Sequence, residues 1–217
     1  MARWILAFLM MALIGGASAR GNPLGVELQT GDVILLSLDC YECRVIEDET
    51  QTRFSHSGLV LVDGHGHIFV AEALGDVHHV PLADFIARSS PGRPPIVMRP
   101  REFETLKTRS SSELRRRQSI LLHRYNRHFV GMPFDSDYRW NNVTADGTEL
   151  LYCSEFIVKI LNEVLEVLIQ PKPMSFKRNW DFWQKHFPQG VPEGLPGYSP
   201  ADFFRSPLMR HIRSDHP

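Results

Sequence analysis

The stretch LLYCSEFIVKIL, residues 150–161, decides the fold, because in it an apolar chain passes into an amphipathic one at Cys153. Phe156, Ile157, Ile160, Leu161, Val164, Leu165 and Leu168 recur at helical spacing, so a helix is expected from about Cys153 to Ile169, ended by Pro171. Cys153 falls on the stripe of Ile157 and Ile160, which turns the helix and its first-turn thiol inward. Three readings of that thiol are open: a small buried hydrophobe, one arm of a disulfide, or a nucleophile. At a helix N-terminus the positive end of the dipole favours thiolate, which keeps the third in view.

Upstream of this helix the period changes from helical to alternating. GDVILLSL (31–38), SHSGLVLV (55–62) and HIFVAEAL (67–74) read as strands, the last two joined by DGHG, a hairpin signal. VHHVPLADFIARS (77–89) reads as a short strand and a helical turn. PGRPPIVMRP (91–100) reads as a strand bounded by prolines and therefore near an edge. A serine-capped helix is expected over SSSELRRRQSILLHRYNRHF (110–129), followed by a polar loop over 131–149. The proline- and glycine-rich FPQGVPEGLPGYSP (187–200) is expected to be an extended surface segment. Strands first and helices later argue an α+β fold, an antiparallel sheet packed against helices.

A nucleophilic thiol needs a base and a group to orient that base. Among ten histidines, His56 stands out because it opens an apolar strand between Ser55 and Ser57, small neighbours that leave room for a substrate. The next strand carries one acid, Glu72, which would be costly on an apolar strand without a partner. If the hairpin loop is odd, as with Gly64-His65-Gly66 and a left-handed glycine, His56 and Glu72 share a face; an even loop separates them. His65, His67, His78 and His79 invite a metal reading, but His65 sits at a loop tip and His78 and His79 point to opposite faces. No metal or cofactor is expected.

The N-terminus MARWILAFLMMALIGGASA has the order of a secretory signal peptide, with cleavage expected after Ala19 and export to a periplasmic or extracellular space. The remainder, 20–217, is expected to form one domain with no membrane-spanning segment. A net charge of -1 gives no general bias toward nucleic acid. Export would place the three cysteines in an oxidising compartment, where Cys40 and Cys43 could pair across a tight loop and leave Cys153 over. A redox motif or half a zinc site are the other readings of that C-x-x-C. The run Arg115-Arg116-Arg117 reads as a solvated helix face, and Asn142-Val143-Thr144 as a glycosylation acceptor only in a eukaryote. Serine-hydrolase elbow, phosphate-loop and H-E-x-x-H motifs are absent from the sequence.

Taken together, GDVILL, FSHSGLVL, VAEALGDV, YNRHFVGMPFD and LYCSEFIVKIL resemble the YiiX/YebB-like group of the NlpC superfamily, circularly permuted papain-like cysteine hydrolases in which the cysteine helix follows the histidine sheet. The resemblance spans about Gly31 to Ile169, with YSPADFF similar to a closing segment. It implies Cys153 as nucleophile, His56 as general base, Glu72 as the orienting residue, and a cleft whose backbone N–H groups near Cys153 hold an oxyanion. The expected activity is an amidase or endopeptidase acting by acyl-thioester transfer, with peptidoglycan peptides as substrate by analogy. The alternatives are a lipid amidase, thioesterase or acyltransferase, favoured by an apolar cleft, and a binding module without turnover. LDCYECRVIEDET (38–50), with Glu42, Glu47, Asp48 and Glu49, departs from the plain pattern and is expected to border the cleft.

Overall fold

The computed structural model describes residues 23–213; the signal-peptide reading lies outside them. Among the described residues the strands are β1 (Val33–Leu36), β2 (His56–Val62), β3 (Ile68–Leu74), β4 (Asp76–Pro81), β5 (Ile96–Pro100), the two-residue β6 (Lys172–Pro173) and β7 (Pro196–Gly197), and β8 (Met209–Ile212). The α-helices there are α1 (Tyr41–Thr50), α2 (Leu82–Ala87), α3 (Arg101–Arg109), α4 (Ser111–Arg124), which continues into a π-helical turn over Tyr125–Phe129, α5 (Cys153–Asn162), α6 (Trp180–His186) and α7 (Pro200–Arg205). The order in the main sheet is β4-β3-β2-β1-β5-β8, antiparallel throughout, so the α+β architecture holds.

The hairpin parity is settled by its loop. Asp63 N donates to His67 O at 3.0 Å, Gly66 takes φ 84, and Val60 pairs with Val70 and Leu59 with Ala71. That three-residue loop puts His56 and Glu72 diagonally on one face.

Alternation then sorts the sheet into two sides. Val33, Leu35, Leu59, Leu61, Ala71 and Ala73 pack with Phe156, Ile157, Ile160 and Leu161 of α5, the larger core. Ile34, Leu36, Val60, Val70 and Val97 pack with Leu82 and Phe85 of α2 on the other side. Gly58 permits that second layer, since a Cβ there would come within 2.3 Å of Val70 and 2.6 Å of Phe85.

Several expectations are corrected. Helix α5 ends at Asn162, well before Pro171, because the Asn162 amide accepts from Ile169 N at 2.8 Å and donates to Ile169 O at 2.9 Å, folding the following chain back on itself. Strand β5 is interior, since the returning tail adds β8 outside it; its prolines fall before the strand and at its last residue, where no central ladder bond is lost. Residues 187–200 are not merely a surface strap: Tyr198 and Pro200 are buried, and Ser199 and Asp202 form a capping box that starts α7. Arg117 leaves the solvated face and is buried among Glu102, Glu113 and the Val164 carbonyl, while Arg115 and Arg116 remain exposed. The stretch around Cys40 and Cys43 is the start of a ten-residue helix, α1, rather than a tight loop.

Candidate active site

Helix α5 presents Cys153 as its first residue, with Tyr152 at the N-cap position in extended conformation. The first four N–H groups of a helix have no intrahelical acceptor, so the sulfur sits among donors and at the positive end of the dipole. Cys153 is a partly exposed free thiol.

His56 is the first residue of β2. Its face is that of Gly58 and Phe85, whose ring centroid lies 5.8 Å from the imidazole, whereas the body of α5 packs on the opposite face. The two meet because His56 stands where the strand begins and Cys153 where the helix begins. Between them Ser57 Oγ and Ser154 Oγ lie 3.1 Å apart and fasten α5 to β2. Ser57 therefore serves the helix and leaves no room for substrate; Ser55 lines the cleft.

His56 Nε2 donates to Glu72 Oε2 at 2.6 Å, which leaves Nδ1 for Cys153. Glu72 is fully buried, and its other oxygen accepts from Arg88 Nη2 at 2.6 Å. Burial by itself would lower the His56 pKa, but hydrogen bonds to Cys153 and Glu72 and their charges outweigh it and raise the ring to about 9. Burial would likewise raise the Cys153 thiol, yet the His56 hydrogen bond and charge, helped by Ser57 and Ser154, bring it below its ordinary value. Glu72, despite its burial, is held lower by His56 and Arg88. The arrangement favours a thiolate–imidazolium pair with a carboxylate behind it.

Cys153 and His56 open into a cavity of about 930 Å³. Its walls come from α1, the 134–138 loop and the 172–176 and 198–205 segments, with Leu38, Ile46, Leu74, Phe134, Met174 and Phe176 among the lining residues. The LDCYECRVIEDET stretch does border it, as helix α1. Beneath, Trp183, Phe176, Phe187 and Tyr138 interlock edge to face. Tyr138, at φ 50, donates from its hydroxyl to Glu42 Oε1 at 2.6 Å. A bulky residue in the left-handed region is uncommon, and here it turns the ring toward the cleft wall.

Arg88 and Tyr138 escaped the sequence reading. Arg88 follows a six-residue helix whose ending leaves no sequence mark, and Tyr138 lies in a polar loop where an aromatic reads as incidental. Of the four histidines of the metal reading, His67 pairs with Asp63 at 2.9 Å and has the His65 ring 6.0 Å away, His78 pairs with Asp76 at 2.8 Å, and His79 with the Tyr125 hydroxyl at 3.1 Å.

Residues 27–213 match the model of the permuted papain-like amidase enzymes, YaeF/YiiX, C92 family. The chain belongs to this family. The uncharacterized protein YiiX of Escherichia coli strain K12 is 24% identical over 195 residues, covering 87% of this chain and 88% of that protein. A solved structure described as metalloprotein yiiX from Escherichia coli O157:H7 matches with a TM-score of 0.70 at 22% identity, over 87% of this chain and 98% of that one. In this member of the family the histidine sheet precedes the cysteine helix, the chain order that distinguishes the permuted form.

Proposed function

We propose that this permuted papain-like amidase is a cysteine hydrolase acting on the amide of a long acyl chain, exported by the leader at residues 1–19. The observation that supports it is His56 held between Glu72 and Cys153 at the mouth of an apolar cleft. The Cys153 thiolate attacks the amide carbonyl, and N–H groups at the start of α5 receive the developing oxyanion. His56, carrying the proton, delivers it to the leaving amine, and the C–N bond breaks to give an acyl thioester. Water deprotonated by His56 then attacks the thioester, returning carboxylate and thiol. Glu72 keeps the ring in one orientation throughout.

The apolar lining favours an acyl chain over the charged stem peptides of peptidoglycan, which remain the second reading. Among the described residues no group of three or more histidine, cysteine, aspartate or glutamate side chains is placed to hold a metal ion.

The test is mass spectrometry of products from N-acyl amines, long-chain thioesters and peptidoglycan fragments, each with a Cys153→Ala control. Cys153-dependent release of fatty acid from the N-acyl amine supports the proposal. Turnover confined to peptidoglycan fragments would establish the second reading, and binding without turnover of any of the three would leave a ligand-binding module.

A further inference from the structure

The cleft holds a second sulfur centre that acyl transfer does not use. Cys40 and Cys43 are joined as a disulfide and both line the cavity that contains Cys153. Cys40 is the N-cap residue of α1 and exposed, whereas Cys43, one turn in, is 6% exposed. Cys43 N donates to Cys40 Sγ at 3.0 Å.

A structural staple is a poor account of this bond. It closes a loop with two residues between the sulfurs, the size at which a crosslink constrains an unfolded chain least. Helix α1 is already anchored elsewhere. Buried Glu47 is bonded to Ser37, Ser55 and Arg93. Buried Glu49 accepts from Arg178 N and Asn179 N, each at 3.0 Å, and from Trp183 Nε1 at 3.2 Å. Val45 packs in the cluster of Phe176, Trp183 and Phe187. None of these contacts is made by either cysteine.

The asymmetry of the two sulfurs fits exchange chemistry. Attack by an external thiolate needs an exposed sulfur, which Cys40 supplies, and a departing sulfur sheltered from competing attack, which Cys43 supplies. The released Cys40 thiolate would keep its backbone donor at the N-terminus of a ten-residue helix.

We propose that Cys40–Cys43 is a thiol–disulfide exchange centre that takes electrons from a dithiol partner. One partner thiolate attacks Cys40 Sγ, forming a mixed disulfide and expelling Cys43 as thiolate. The partner's second thiol then attacks its own sulfur in that bond, leaving as an intramolecular disulfide and releasing Cys40. The partner loses two electrons and two protons, and the chain gains two thiols. Glu42, between the two cysteines in sequence, accepts from Tyr138, whose ring packs edge to face on Tyr152 at 5.8 Å.

The test uses the full chain carrying Cys153→Ser, equilibrated with graded ratios of reduced to oxidised glutathione, trapped with iodoacetamide and read by intact and peptide mass spectrometry. The folded protein should pass from zero to two alkyl groups within the range glutathione can poise, with Cys40 trapped before Cys43 and circular dichroism of the helices retained. In single variants, Cys43→Ser should form a stable glutathione adduct at Cys40 and Cys40→Ser should form none at Cys43. A disulfide that persists at the most reducing ratio, opens only on unfolding, or exposes Cys43 first overturns the proposal. None of these readouts involves hydrolysis, so they stand or fall separately from the amidase reading.

Discussion

Arg88 grips the side of the Glu72 carboxylate that His56 leaves free: Nη2 of the arginine and Nε2 of the histidine each lie 2.6 Å from a different oxygen of the same buried group. The Arg88 guanidinium also covers the Phe85 ring at 5.1 Å, and Phe85 in turn flanks His56. One arginine at the end of α2 thus fixes both the carboxylate and the apolar wall of the imidazole.

Arg88 is therefore expected to act as a positioning residue. Arg88→Ala should lower kcat roughly 10- to 100-fold with little change in KM, the scale on which a misplaced catalytic group costs rate. Arg88→Lys should recover part of the loss, since it restores a cation but not the flat contact with Phe85. Steady-state kinetics on both variants decides the matter. A change confined to KM would place Arg88 in substrate binding instead.

The ion pair predicts a pH profile. With the thiol below its ordinary value and the ring near 9, kcat/KM should be flat across neutral pH and fall as His56 loses its proton near pH 9, because the leaving amine then lacks a donor. Alkylation of Cys153 by iodoacetamide should already be fast at pH 7. In His56→Ala it should slow and shift its midpoint toward the ordinary thiol value of about 8.5. An unshifted midpoint would show that the histidine does not activate the sulfur.

Much of this candidate site is legible in the sequence, and the reason is local. His56 and Glu72 are two strands of one hairpin, so turn chemistry alone determines whether they share a face. Cys153 marks a helix start by the change of apolar period beside it. What was not legible depends on contacts distant in sequence. Arg117 looks solvated until residues 102 and 164 are known to lie beside it. The α5 end is set by a side chain reaching seven residues ahead. The interior place of β5 depends on a strand more than a hundred residues later.

The sheet has its own buried ion pair, and its removal should be felt in stability. Arg99 donates to Asp32 from Nε at 2.7 Å and from Nη2 at 2.8 Å, and also reaches Glu104 and the Glu27 carbonyl. Asp32 is fully buried and Arg99 4% exposed. Arg99→Met should cost about 3–5 kcal/mol, the usual penalty for leaving a buried charge unpaired. Urea denaturation measures it. Adding Asp32→Asn should return part of the loss, because the uncompensated charge goes with it; strictly additive losses would contradict the pairing.

Glu155 supplies a stability signal with a definite sign. It sits two residues after Cys153, fully buried, where one oxygen accepts from Asn141 N at 2.7 Å and meets Lys159 Nζ at 2.7 Å, and the other has no hydrogen-bond partner. Burial dominates over the Lys159 and Asn141 contacts and raises its pKa to about 7. The folded chain therefore holds this proton across a window, from the ordinary value of 4.5 to about 7, in which the unfolded chain has released it. Its contribution is most favourable below that window and is lost as pH rises through it. Glu155→Gln cannot titrate, so the melting temperature of the variant relative to the unsubstituted chain should climb from pH 4.5 to 7 and level off above. Calorimetry of both chains across that range tests it, and a constant or falling difference would mean that Glu155 is already ionised when the chain folds.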